Sequence, residues 1–123
     1  MSQESQYSIP FTRLKNLVLG RDFELSLVFI DNKLSRRLNV IYRRKNSPTN
    51  VLSFLLSRKT GEIFIDLVTI KKETKKFNMS FETLVTYLFI HGLLHLKGMR
   101  HGDTMEQTEK KLLLNGTSNR SRY

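Results

Sequence analysis

SFETLVTYLFIHGLLHLKG, residues 80–98, decides how this chain folds. Wound at helical pitch, it is apolar around most of its circumference, as expected of a helix buried on more than one side. Ser80 stands where an N-cap hydroxyl accepts from the first turn. Met79 and Leu84 have the spacing of a hydrophobic staple, and Glu82 puts negative charge at the positive end of the dipole. Gly98 supplies the stop. The pattern predicts a central helix from Phe81 to Lys97.

All three histidines of the chain lie on this helix or just beyond it, at 91, 95 and 101. Leu84, Leu88, His91 and His95 follow one stripe, because residues three or four apart share a helix face, so the two imidazoles meet at its C-terminal end. Buried without partners, they would cost on the order of 1–3 kcal/mol each; sharing one cation satisfies a nitrogen on both rings. On a continued helix His101 would point away, since six residues amount to roughly 600° of rotation. A left-handed Gly98 ends the helix and lets Met99 and Arg100 bring His101 back over the first pair. A single helical histidine is more often a packed residue than a ligand. Three of them with an open fourth position make a zinc-type hydrolytic site, in which a bound water is acidified towards a pKa of ~7. Gly92 follows His91 where HExxH peptidases carry their general base, which disfavours a peptidase.

Composition narrows the partner. With 123 residues the chain has room for one domain, its core expected over about residues 11–114 with 115–123 as a flexible basic tail. Lys and Arg number 21 against 11 Asp and Glu, a net charge of +10, which favours polyanions and nucleic acid first among them. Cysteine is absent, so only His, Asp and Glu remain as strong metal ligands. The opening MSQESQYSIP has no signal-peptide pattern, and no apolar run approaches the ~20 residues that span a bilayer. A soluble, cytoplasmic protein is expected, with no membrane partner.

Outward from the central helix, residues 11–19 read as a short helix ending at Gly20, and FELSLVFI (23–30) as a strand. Asp31 caps a basic amphipathic helix in which Leu34, Leu38 and Ile41 form the apolar stripe. After Pro48, residues 51–56 and 62–68 read as two strands paired in a hairpin across RKTG. TIKKETKKFN is a solvated, lysine-rich segment with short helical potential. A last helix is expected from about Thr104 to Leu114, with Asp103 as N-cap and Glu106 at N3.

Three ordered blocks also carry a resemblance. HGLLHLKGMRH (91–101), LNVIYRRKNSPTNVLSF (38–54) and GEIFI (61–65) resemble the signatures of the YbeY family of bacterial endoribonucleases, covering about residues 22–112. The resemblance implies an α/β (α+β) fold, with a mixed sheet of about four strands packed against helices and one metal, usually zinc, on His91, His95 and His101. It makes Arg43 the residue that meets RNA phosphate, and places Arg43 and His91 at the reacting centre. The implied activity is endonucleolytic cleavage of single-stranded RNA in 16S ribosomal RNA 3′-end maturation and ribosome quality control. Ribosomal RNA and ribosomal subunits are the implied partners. The other function in view is a metal-stabilised RNA-binding assembly factor with little turnover. One departure stands out: where the family commonly has Asp before the third histidine, this chain has Arg100, reversing the charge beside the expected metal. Asp66 falls near a family Cys-Pro pair and reads as a strand-end residue. Glu106 has a structural explanation as N3 of a capping box and Glu109 is expected to face solvent, so neither is assigned to the chemistry.

Overall fold

The computed structural model describes residues 9–100 and 102–121, with side chains in the last helix described as far as Leu114. In chain order the elements are α1 (Phe11–Leu19), β1 (Glu24–Ile30), α2 (Asn32–Arg43), β2 (Val51–Ser57), β3 (Thr60–Asp66), α3 (Leu67–Lys72), α4 (Thr74–Phe77), α5 (Phe81–Leu96) and α6 (Asp103–Ser121).

α5 is the expected central helix. Ser80 caps it by accepting from the Thr83 N–H, and Leu84, Val85, Leu88, Phe89, Ile90, Leu93, Leu94 and Leu96 are all buried. Burial of each such side chain contributes about 1.5–3 kcal/mol. The stop is a Schellman motif: the Gly98 N–H donates to His95 O at 2.9 Å, the Met99 N–H donates to Leu94 O at 3.0 Å, and Gly98 has φ +98°. Gly98→Ala should therefore lower stability by about 1–2 kcal/mol, the cost of a Cβ in the left-handed region. Urea unfolding should show this as a lower midpoint at unchanged slope; an unmoved midpoint would remove the strain from the explanation.

The sheet is mixed, in the order β1-β3-β2. β1 lies parallel to β3 with Leu27 opposite Ile63, and β2 pairs antiparallel to β3 as the expected hairpin, with Val51 opposite Ile65. About four strands are implied by the family resemblance; the described residues form three. Ile63 and Ile65 on the central strand are fully buried beneath α5. The helix reaches this surface because residue 92 is glycine: a Cβ there would stand 3.2 Å from Ile63 Cδ1. α1 packs on the same core through Phe11, which meets Phe89 edge-on at 4.8 Å and Phe29 at 6.2 Å.

α2 departs from its expected apolar stripe. Asp31 caps it as anticipated, accepting from the Leu34 N–H at 2.8 Å, but Leu34 and Ile41 are exposed and the buried residues are Ser35 and Asn39. The reason is the loop that follows. Ser35 Oγ donates to Thr49 O and accepts from the Thr49 N–H, while Asn39 Nδ2 donates to Ser47 O, so this helix face satisfies loop backbone instead of packing on apolar side chains.

Two other boundaries differ. β3 ends at Asp66, which is buried and caps α3, accepting from the Thr69 N–H at 2.9 Å and from Thr69 Oγ1 at 2.8 Å. α6 begins at Asp103, so that Asp103 and Glu106 both lie in its first turn instead of forming the expected capping box. It also runs to Ser121, past the expected end at Leu114. No proline follows to interrupt the ladder, and Gly116 permits a stop without imposing one.

Candidate metal centre

His91 and His95 stand one turn apart on α5 with their rings edge-to-face, centroids 4.5 Å apart, and their Nε2 atoms 3.0 Å apart. The expected juxtaposition of the two imidazoles is therefore present. His91 Nδ1 is held by Glu109 Oε2 at 2.5 Å. A carboxylate accepts, so Nδ1 of His91 carries the proton of this contact, and its Nε2 is the nitrogen turned towards His95.

Glu109 corrects the expectation that this residue faces solvent: it is 2% exposed. α6 packs back on α5 and carries Met105 and Glu109 on its buried side, with Leu112 and Leu113 half-buried behind them. That i, i+4, i+7, i+8 pattern was available in the sequence and marks Glu109 as inward-facing. The second carboxylate oxygen, Oε1, accepts from the Tyr87 hydroxyl at 3.4 Å. Burial, together with the negative charges of Glu109 and Glu106, pushes the Tyr87 phenol above its ordinary pKa and keeps it a donor.

Arg43, the last residue of α2, reaches the same place. Its Nη1 donates to Thr49 Oγ1 at 3.2 Å, and among the described residues no carboxylate lies within ion-pair distance of its guanidinium. It lines two clefts at once. One, of about 200 Å³, runs to His91 between Asn50, Val51, Phe77 and Tyr87. The other, of about 260 Å³, runs to His95 beside Tyr42, Ser53 and Phe54. Arg43, His91 and His95 are thus brought together; His101, the third expected ligand, lies outside the described residues, and no group of three metal-binding side chains occurs among those described.

The two histidines fit a zinc-type ion. Tetrahedral ligation at Zn–N distances of about 2.0–2.1 Å separates two nitrogens by roughly 3.3 Å. The observed 3.0 Å needs only a few tenths of an ångström of opening. The Glu109 contact is also the kind a ligating histidine makes through its other nitrogen, orienting the ring and raising its basicity. Arg100, just after the Schellman turn, is exposed.

Residues 5–116 match the family described as Endoribonuclease YbeY. The chain belongs to the YbeY family. It is 40% identical over 88 residues to Endoribonuclease YbeY of Ehrlichia chaffeensis, covering 68% of this chain and 57% of that protein. To the Petrotoga mobilis protein of the same name it is 39% identical over 100 residues, covering 79% and 69%. The chain thus spans less than two thirds of the length of several of these YbeY relatives, 57% for Ehrlichia chaffeensis and 59% for the aster yellows witches'-broom phytoplasma. The fold is that of a Thermotoga maritima protein solved in solution, at TM-score 0.69 and 23% identity over 96% of this chain and 87% of that one. The α+β architecture is therefore that of a YbeY-type domain. No helix among the described residues is long and apolar enough to cross a membrane.

Proposed function

We propose that this YbeY-family chain is a zinc-dependent endoribonuclease that hydrolyses phosphodiesters of single-stranded RNA, acting in the cytoplasm on the 3′ end of 16S ribosomal RNA and in ribosome quality control, with ribosomal RNA and ribosomal subunits as partners. The observation that carries this reading is the convergence of His91 Nε2 and His95 Nε2 beside Arg43, whose guanidinium has no carboxylate within ion-pair distance among the described residues.

His91, His95 and His101 would hold the ion, which would supply an acidified water and a positive charge at the phosphodiester. Arg43 binds a non-bridging phosphate oxygen through its planar fork, orients the phosphodiester between the two clefts, and stabilises the negative charge that grows there. Glu109 keeps the proton of His91 on Nδ1, so that Nε2 stays available as a donor atom towards the centre. Tyr87 donates to the other carboxylate oxygen and holds Glu109 in place.

Arg43→Ala should lower cleavage of a labelled single-stranded 16S 3′-end fragment by roughly a hundredfold, in line with the removal of one charge-stabilising donor. Metal content and melting temperature should be unchanged, because the side chain is exposed. Cleavage at the original rate would take Arg43 out of the chemistry. RNA binding by the unaltered chain without any cleavage would favour a metal-stabilised assembly factor.

A further inference from the structure

The clefts on the two sides of Arg43 differ in character. On the His95 side, Tyr42 is 61% exposed, although it belongs to the last turn of a helix that ends against the sheet. Its ring is not loose. It leans on Phe54 with centroids 4.7 Å apart at an angle of 53°, and Phe54 is backed in turn by Phe64, edge-on at 5.8 Å. Three rings in series thus hold an aromatic surface at the mouth of a cleft instead of sealing it into the core. The remaining walls are Leu52, Ser53, the guanidinium of Arg43 and His95.

One wall of this cleft is cationic, through Arg43. The helix and turn that carry it add further positive charge, since Arg36, Arg37, Arg44 and Lys45 are all exposed on α2 and the turn after it. A planar group with an apolar face, attached to a polyanionic backbone, matches both features: its face stacks on a fixed ring while its phosphates meet the arginines. From this geometry we infer that the Tyr42–Phe54 cleft is a nucleobase subsite, which takes the base next to the phosphate held by Arg43. Only an unpaired nucleotide can turn its base onto Tyr42, because in a duplex both faces are covered by neighbouring pairs. The subsite thereby selects single-stranded RNA. This inference rests on the RNA-cleaving reading and adds to it the means of telling unpaired from paired RNA.

The test is binding of short fluorescein-labelled single-stranded oligoribonucleotides to the zinc-loaded full chain, read by fluorescence anisotropy at zero time. A single abasic nucleotide is walked along the strand. At one position its introduction should weaken binding by the unaltered protein about tenfold, the worth of one base on one ring. Tyr42→Ala should weaken binding of the intact strand by a similar factor and make the abasic substitution at that position cost nothing further, while Tyr42→Phe stays within about twofold of the original. A hairpin stem should bind independently of residue 42. Abasic penalties that are equal at all positions, or that persist undiminished in Tyr42→Ala, would overturn the base subsite. The abasic series on the unaltered protein decides this even if the alanine variant folds poorly. Absence of any binding to single-stranded RNA would remove the RNA-cleaving reading itself, whereas binding that ignores both changes would remove the subsite alone.

Discussion

His95→Ala is expected to empty the metal centre: elemental analysis of the purified chain should fall from about one equivalent of zinc to none at neutral pH. The expectation follows from the ligand set. With cysteine absent and no carboxylate among the described residues facing the histidine pair from the Nε2 side, the centre has no spare donor to take over from a lost imidazole. The variant should still fold, because His95 is only half-buried and the helix around it is anchored by Leu93, Leu94 and Leu96. A full equivalent of zinc in the variant would end the three-histidine assignment.

Glu109→Leu should have the second largest effect and a different signature. It removes the acceptor for both His91 Nδ1 and the Tyr87 hydroxyl while roughly preserving volume. Two half-buried donors lose this acceptor, at up to about 1–3 kcal/mol for each that water does not reach. Because His91 is no longer held in orientation, zinc affinity should also fall by roughly 10–100-fold. Glu109→Gln keeps an acceptor oxygen and should lie between the two. Competition against a chromogenic chelator reads the affinity directly, and a dissociation constant within twofold of the original would reduce Glu109 to a packing residue.

What could be read from residues alone followed the range of the interactions. α5, its Ser80 cap and its Gly98 stop were legible because each is a local pattern within one helix. So was the pairing of His91 with His95, which needs nothing beyond helical spacing. The burial of α2 was misread because its apolar residues suggested a stripe, whereas Ser35 and Asn39 answer a loop 14 and 8 residues further on that no local pattern announces. Glu109 was missed for a different reason: its position in register with Met105 and Leu112 was visible, but a charged residue in such a stripe is ordinarily solvated. Its partners across the helix interface, His91 and Tyr87, make its burial intelligible. The placement of Tyr42 over Phe54 depends on how α2 meets β2, a contact between elements that sequence periodicity does not encode.

The most direct measurement is the time course of cleavage of a labelled single-stranded 16S 3′-end RNA by the purified full chain, first stripped with chelator and then reloaded with one equivalent of zinc. Metal-dependent hydrolysis at a centre built on His91, His95 and His101 predicts no cleavage by the stripped protein, discrete products after reloading, and none from reloaded His95→Ala. Equal cleavage by the stripped and reloaded protein, or by His95→Ala, would contradict it.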